Sequence, residues 1–266
     1  MHNFASSKKD VTMLRNIKPW NWPLVVVAVS ELLLVIVTFG QSRNDLLTLA
    51  GQLKDKDASV RRGAIEKLSQ INSPESVTLL LRVLDDPAQE VRRDAAFALG
   101  EKRATQAVEP LLQLLESSDA SDRNIAILTL GMIGGEKARE ALLKRLKSAP
   151  AEERDSVAVA FGSMQDPQTV EPLIQLLRDG SYTVRASAAN SLGKLGDKRA
   201  VEPLVQALSD SSDSVRGAAA LSLAELKDKR VLEALENLYA QEKSTSVRQQ
   251  LEYALQVLRA IPVQKD

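Results

Sequence analysis

The side chains that could carry out chemistry in this chain are arginines and carboxylates, because it contains no cysteine and one histidine, His2. Without cysteine there is no disulfide framework, thiol nucleophile or thiolate metal site. One histidine in a terminal tail cannot form an acid–base pair or a metal cluster. The 35 basic and 35 acidic residues leave a net charge of zero, whereas neutralising nucleic-acid phosphates needs a basic surplus. We therefore expect no catalytic residues, no cofactor, no metal and no nucleic-acid partner.

Arginine recurs with a period of 31 residues, and this period defines the elements that must position any site. The arginines are Arg61, Arg92, Arg123, Arg154, Arg185, Arg216 and Arg248. Valine usually precedes the arginine, and a small residue, most often glycine, lies eight positions after it, where a neighbouring helix can approach closely. The other half of the unit reads Val-Glu-Pro-Leu at 108–111, 170–173 and 201–204. Proline is tolerated in a first helical turn, so each unit is predicted to be a helical hairpin.

One hairpin cannot bury its apolar face alone, but seven stacked hairpins share a continuous core. The predicted fold is therefore all-α, a right-handed α-solenoid of about seven helical hairpins. The predicted first helices lie near 44–54, 75–85, 105–117, 136–147, 167–178, 198–209 and 229–241. The predicted second helices, which carry the arginines, lie near 58–71, 89–101, 120–133, 151–163, 182–194, 213–226 and 245–259.

The repeat resembles the HEAT repeat, and in particular the short HEAT-like repeats named after phycobilisome lyases. The resemblance is carried best by Asp86–Gly100, Asp179–Gly193 and Arg199–Leu204, and it covers residues 43–260. By this resemblance the arginines belong to a structural Asp–Arg ladder between repeats, although they could also be taken for a phosphate-binding stripe. The ladder residues are Asp55, Arg61, Asp86, Arg92, Asp179, Arg185, Asp210, Arg216, Glu242 and Arg248.

The third and fourth units depart from this pattern. They have Ser117 and Ser148 six positions before the arginine, where the other units have an acid. They also have Asp122 or Glu153 directly before the arginine. This departure predicts less regular stacking or a softer joint at these two units.

The first forty residues differ in composition from the repeats. A basic tail, 1–19, precedes an apolar run in which 13 of the 16 residues from Leu24 to Phe39 are apolar. We expect 20–40 to be a transmembrane helix acting as a signal anchor, with the alternatives of a cleaved signal peptide or a buried core helix. Glu31 within it is either a docking point for a transmembrane partner or a tolerated acid. The basic tail predicts a cytoplasmic N-terminus and a repeat domain outside the cytoplasm. A disordered tail is expected over 261–266.

A candidate binding surface follows from the HEAT resemblance, which places the second helices on the concave face. Five positions after each arginine stand Glu66, Phe97, Leu128, Val159, Asn190, Leu221 and Tyr253, and five of these seven are apolar or aromatic. The candidate groove comprises Arg62, Arg93, Phe97, Asn124, Ile125, Leu128, Val159, Tyr182, Asn190, Leu221 and Tyr253. Its apolar floor predicts binding of a helix or extended segment of another protein. The alternative is that this row only packs against its neighbours.

The resemblance also implies two enzyme classes. HEAT-like deoxyhypusine hydroxylases hold two irons with His-Glu pairs, and this chemistry is excluded because no repeat contains histidine. Bilin lyases of the phycobilisome system remain as an alternative. The predicted function is a membrane-anchored HEAT-repeat scaffold that binds a partner protein through the concave face. The alternatives are a bilin lyase-like or pigment-chaperone protein, and an assembly factor for a membrane protein complex.

Overall fold

A computed structural model describes residues 44–262, and every regular element within this range is helical. The chain divides into two compact units, Met1–Gly51 and Gln52–Asp266. Helix α1 occupies 44–52. The other helices that begin a unit are α3 (Pro74–Leu81), α5 (Val108–Leu114), α7 (Glu136–Leu146), α9 (Val170–Leu176), α11 (Val201–Ala207) and α13 (Leu232–Gln241). The helices that carry the arginines are α2 (Ala58–Gln70), α4 (Gln89–Glu101), α6 (Ala120–Ile133), α8 (Ala151–Met164), α10 (Tyr182–Leu195), α12 (Asp213–Leu226) and α14 (Thr245–Ala260).

The second helices begin at the predicted residues and end within one residue of the prediction. Side-chain caps fix some of these starts: Asp57 accepts a hydrogen bond from the Ser59 amide at α2, and Asp119 accepts one from the Ser121 amide at α6. Such caps satisfy amides that have no partner inside the helix.

Four of the first helices open with a 3₁₀ turn where a continuous α-helix was predicted. These turns are Thr105–Ala107, Pro167–Thr169, Lys198–Ala200 and Lys229–Val231. In the Val-Glu-Pro-Leu units the α-helix proper starts at the valine, so the proline becomes its third residue. The missing proline N–H then falls among the first-turn amides, which have no intrahelical acceptor anyway.

Consecutive second helices pack against one another from α2 to α14, and the first helices from α3 onward pack against the second helix of their own unit. The core repeats with the sequence period. Seven positions after the arginine stand Leu68, Leu99, Leu130, Phe161, Leu192 and Leu223, all completely buried. A matching row on the first helices consists of Leu80, Leu111, Leu142, Leu173, Leu204 and Leu235, also completely buried. Burial of such side chains contributes about 1.5–3 kcal/mol each.

The glycines of the second helices allow close helix packing. A Cβ atom placed on Gly131 of α6 would lie 2.6 Å from the Cα of Ala160 in α8. A Cβ atom on Gly162 would lie 2.6 Å from the Oγ of Ser191 in α10. Only a residue without a side chain fits at these crossings.

The predicted all-helical solenoid is confirmed, but the transmembrane helix included in that fold class is not supported. Among residues 44–262, no helix combines the length and apolar character needed to cross a bilayer. The longest, α14, has 16 residues and includes three charged side chains, whereas a span needs about 20 mainly apolar residues. The described fold is an all-helical solenoid of 14 α-helices within residues 44–262.

The predicted single-pass membrane localisation, with its orientation, is corrected for the same reason. The segment 20–40, with Glu31, lies outside the described residues, as do the basic tail 1–19 and residues 263–266. The membrane contact and the assembly-factor alternative relied on that segment, so they have no support from the described helices. The right-handed sense of the solenoid stays a prediction.

Candidate protein-binding surface

The arginines of the second helices bind carboxylates of the following repeat. The pairs are Arg61–Asp86, Arg92–Asp122, Arg123–Glu153, Arg154–Asp179, Arg185–Asp210 and Arg216–Glu242. Arg61, for example, donates from Nε and Nη2 to the two Asp86 oxygens, at 2.7 Å each. Its Nη1 also donates to the main-chain carbonyl of Asp55, six positions earlier, at 2.8 Å. Asp55 therefore contacts Arg61 of its own unit through the backbone, and the carboxylate that binds Arg61 comes from the next unit, as expected of a ladder between repeats.

The third and fourth units keep this ladder with a different residue. Asp122 accepts from Arg92 at 2.8 and 3.0 Å, and Glu153 accepts from Arg123 at 2.9 Å. In these two units the acid stands directly before the arginine, whereas in the other units it stands six positions before it. The carbonyl of Ser117 keeps the backbone role by accepting from Arg123 at 2.9 Å. The third and fourth units, which lack an acid six positions before the arginine, therefore still supply a carboxylate to the arginine of the preceding unit.

Two buried carboxylates of the ladder pairs, Glu242 and Glu153, have lowered pKa values. Hydrogen bonds from Arg216 lower the pKa of Glu242 from 4.5 to about 2, against the opposing effect of burial. Burial raises the pKa of Glu153, but hydrogen bonds from Arg145 and Arg123 outweigh burial, and the net shift is downward. These carboxylates are therefore ionised at neutral pH and bound to guanidinium groups.

The last arginine has no carboxylate partner among the described residues. Arg248 lies instead over the ring of Tyr239, with its guanidinium carbon 4.7 Å from the ring centroid, within cation–π range. Its predicted partner Glu242 is bound to Arg216. The ladder ends here because no further repeat follows α14 in the described chain.

The ladder joins successive second helices, and the positions one, two and five after each arginine recur along them as a stripe that is exposed in some helices and buried in α12 at Gly217 and Ala218. We call this stripe the second-helix surface. The predicted members Phe97, Tyr253 and Leu128 are exposed by 55%, 58% and 40%. Arg62, Arg93 and Asn190 are also exposed, while Asn124, Ile125, Val159 and Leu221 are half-buried. Tyr182 is exposed at the start of α10.

Two clefts open on this surface. One, of about 590 Å³, lies between α2 and α4 and is lined by Arg62, Arg93 and Phe97 together with Glu66 and Glu101. The other, of about 510 Å³, is formed by α10, α12 and α14. It includes Asn190 and Leu221. The structure thus divides the predicted groove between two clefts. The remaining predicted residues line neither cleft: Asn124, Ile125, Leu128, Val159, Tyr182 and Tyr253.

Sequence reasoning included Asn124 in the groove but missed Asp155, its equivalent on α8, and the burial of both side-chain oxygens. Asn124 of α6 and Asp155 of α8 each follow a ladder arginine directly, and each holds a buried Oδ1 without a hydrogen-bond donor among the described residues. Asp94 was also missed, although it binds Arg62 at 2.5 Å and lies 3.5 Å from Arg93. The signal for Asp155 was its place in the repeat, equivalent to that of Arg62, Arg93 and Asn124.

Solved structures similar to this chain share its fold at low identity. A chain from the complex of CpcE and CpcF of phycocyanin lyase from Nostoc sp. PCC7120 has a TM-score of 0.50 at 23% identity, over 79% of this chain and 93% of that one. The Kap95:Nup1 complex has a TM-score of 0.61 at 16% identity, over 82% of this chain and 36% of that one. The E. coli protein YIBA has a TM-score of 0.50 at 16% identity, over 98% and 100%.

These likenesses establish the fold alone, and no curated protein matches the chain. At the level of sequence families, the PBS lyase HEAT-like repeat matches residues 153–179. The HEAT repeats family matches residues 33–99, 78–162 and 170–256, which is more than half of the chain. The 31-residue period, the stacked hairpins and these matches agree, and the chain belongs to the HEAT repeats family.

Proposed function

We propose that this HEAT-repeat protein is a scaffold that binds a partner protein through the second-helix surface. The observation that carries the proposal is the row Phe97, Leu128 and Val159, which presents apolar side chains on three consecutively packed helices. Aromatic side chains at the centre of a surface are typical of protein interfaces. An exposed Phe97 beside a cleft offers such an anchor.

The solved structures of similar fold are consistent with this proposal. Two of these structures are complexes, one of CpcE with CpcF and one of Kap95 with Nup1. CpcF and Nup1 are partners of CpcE and Kap95, respectively. They support the general expectation that a solenoid of this kind offers a protein-binding surface, and they do not name the partner of this chain.

Photocrosslinking from defined positions tests the proposed surface. A photoreactive amino acid replaces Phe97 or Leu128 in the full chain, expressed in its native cells. Matched controls replace Gln113 of α5 or Gln175 of α9, which are exposed on first helices. We expect the same crosslinked partner from positions 97 and 128 and none from 113 and 175. Equal crosslinking from all four positions, or crosslinking from the first helices alone, would contradict the proposal.

Charge insertion provides the matching loss-of-binding test. We expect Phe97→Asp with Leu128→Asp to abolish recovery of the crosslinked partner, because an introduced charge would have to be buried in the interface. The variant Gln113→Asp with Gln175→Asp adds the same charge on the other side of the hairpins and should leave recovery unchanged. Both variants should keep the wild-type circular dichroism spectrum and melting curve. Unfolding of the first variant would indicate that the row serves packing instead.

A bilin lyase-like or pigment-chaperone role is the second candidate, favoured by the match of residues 153–179 to the PBS lyase HEAT-like repeat. It predicts that a linear tetrapyrrole binds the purified protein and shifts its visible absorption band. The two clefts of the second-helix surface are the sites in which variants would be tested. An unchanged spectrum at saturating pigment would remove this candidate.

A further inference from the structure

We propose that the part of the second-helix surface between α2 and α8 binds an extended segment that carries both basic and apolar side chains. This inference rests on the proposed function and specifies the chemistry of the partner. Three features of this part of the surface support it: its unpaired charges, its buried acceptors and the spacing of its helices.

The four helices that carry this part of the surface have more carboxylates than cations once their internal salt bridges are set aside. The ladder arginines of α2, α4, α6 and α8 are bound to carboxylates, and Arg62 and Arg93 share Asp94. Because these two arginines share one carboxylate, one positive charge remains in excess there, and among the described residues of these four helices Lys67 is the one cation outside a salt bridge. The carboxylates outside a salt bridge are Glu66, Glu90, Glu101, Glu152 and Asp155. A partner complementary to this charge is basic.

Two buried side-chain oxygens at the centre of the same surface have no hydrogen-bond donor among the described residues. Asn124 and Asp155 occupy equivalent positions on the packed helices α6 and α8, and each holds a buried oxygen without a donor. Buried acceptors of this kind are rare, and a ligand that supplies N–H groups removes the penalty of leaving them unpaired. Lysine and arginine are donors only, and their positive charge also matches the Asp155 carboxylate.

The cleft between α2 and α4 suits one long basic side chain. Phe97 forms an exposed wall of this cleft. Arg62 and Arg93 also line it and bind Asp94, so Glu66 and Glu101 are the lining carboxylates outside a salt bridge. The aliphatic part of a lysine or arginine can lie against the phenyl ring while its charged end reaches a carboxylate. One repeat further along the stack, the exposed Leu128 of α6 offers an apolar contact between this cleft and Asp155 of α8, where the half-buried Val159 adds to it.

Helix spacing determines the register of such a segment. Packed helices lie about 8–10 Å apart. A polyproline II segment presents the same face every third residue, about 9 Å further along. A segment lying across α2 to α8 would therefore place a basic, an apolar and a second basic side chain at every third position.

Peptide binding to the full chain tests this inference. The first probe is a fluorescein-labelled peptide with arginine, leucine and arginine at every third position, separated by proline, serine and alanine. Two further probes replace both arginines by glutamine or by glutamate. We expect the arginine peptide to bind at least about tenfold more tightly than the other two by fluorescence anisotropy. We also expect its affinity to fall with added salt.

Variants of the protein separate the contribution of its carboxylates to peptide binding from that of the apolar Phe97. Glu101→Gln with Asp155→Asn should weaken the arginine peptide about tenfold and leave the glutamine peptide unchanged. Phe97→Ser should weaken both peptides. The matched control Glu171→Gln with Glu202→Gln removes two exposed carboxylates from the first helices α9 and α11 and should change neither affinity.

Three outcomes would overturn the inference. Equal binding of the arginine and glutamine peptides, lost in Phe97→Ser, would reject the basic partner and keep the apolar surface of the proposed function. If the control variant Glu171→Gln with Glu202→Gln weakened the binding of the arginine peptide equally, the peptide would be attracted by the net charge of the protein and not by a site on this surface. Crosslinking of a partner from position 97 without binding of the arginine peptide would also reject this segment chemistry while the proposed function stands.

Discussion

At the scale of single residues, the ladder depends on where a carboxylate can reach the arginine of the preceding repeat. In most units the acid precedes its own arginine by six positions, as Asp86 precedes Arg92. In the third unit that position is Ser117, and Asp122 supplies the carboxylate from the position before Arg123. The two positions are therefore alternative supports for one guanidinium group, although they lie on different parts of the hairpin.

This equivalence predicts loss and rescue of stability in the third unit. Asp122→Val removes the partner of Arg92, and leaving a largely buried charge unpaired should lower the free energy of unfolding by about 3 kcal/mol. The added substitution Ser117→Asp should recover most of this loss, because it restores the arrangement of Asp86 and Arg61. Valine fits the position, since Val91 and Val184 are completely buried at equivalent places. Urea denaturation of the single and double variants measures both effects.

A surface ion pair provides the control for this experiment. Asp213 also binds Arg216, but its side chain is 60% exposed, so Asp213→Ala should change the free energy of unfolding by less than about 1 kcal/mol. A double variant as unstable as Asp122→Val alone would contradict the equivalence. A loss of unfolding free energy in Asp213→Ala equal to that in Asp122→Val would also contradict it.

At the scale of elements, the crossing of α6 and α8 requires glycine at position 131, whereas Gly63 of another second helix, α2, does not have this role. Gly131→Ala should destabilise the protein by about 1–3 kcal/mol, because the new Cβ would force two packed helices apart. Gly63→Ala in α2 meets nothing within 4 Å and should stabilise the protein by about 0.5–1 kcal/mol through helix propensity. Urea midpoints give both signs, and a stabilising Gly131→Ala would contradict the close approach.

The elements were largely predictable from the sequence, and the contacts between them were not. The 31-residue period located the second helices because it repeats both the buried leucines and the polar loop residues. The 3₁₀ turns that start at Thr105 and Lys198 were missed. The proline two residues after the start of the α-helix was placed inside one continuous helix that also covered these turns. The ladder between repeats was predicted, but Asp122 and Glu153 were not included as its carboxylates, because a repeated spacing does not show that a second position can reach the same arginine.

The candidate surface was predictable only in part for the same reason. Phe97 and Leu128 stood out as apolar residues at positions expected to be exposed, and both are exposed. The buried oxygens of Asn124 and Asp155, and the capture of Arg62 by Asp94, depend on side-chain packing between neighbouring helices. The membrane helix was inferred from one apolar run in isolation, and the described helices give it no support.

At the scale of the whole molecule, the ladder links the stability of the solenoid to pH, because similar carboxylates recur at successive interfaces. Hydrogen bonds from Arg154 and Arg185 lower the pKa of Asp179 and Asp210, respectively, with burial acting in the opposite direction. Burial raises the pKa of Asp86, and the hydrogen bonds from Arg61 together with the other favourable contacts reverse this shift. Because each repeat contacts only its neighbours, protonation of these groups would weaken several interfaces over the same pH range.

The sign of this pH dependence follows from Glu242, whose pKa falls from 4.5 to about 2 through the hydrogen bonds from Arg216. A carboxylate with a lower pKa in the folded state contributes fully to stability above pH 4.5 and loses that contribution as the pH falls towards 2. We therefore expect the urea midpoint of the wild-type protein to drop across this window. Glu242→Gln should be less stable at neutral pH and should show a shallower drop, because one of the titrating groups is gone. Asp213→Asn is the control, since its carboxylate is exposed and its variant should follow the wild-type curve. Parallel curves for wild type and Glu242→Gln would show that Glu242 is not a source of the acid sensitivity of the array.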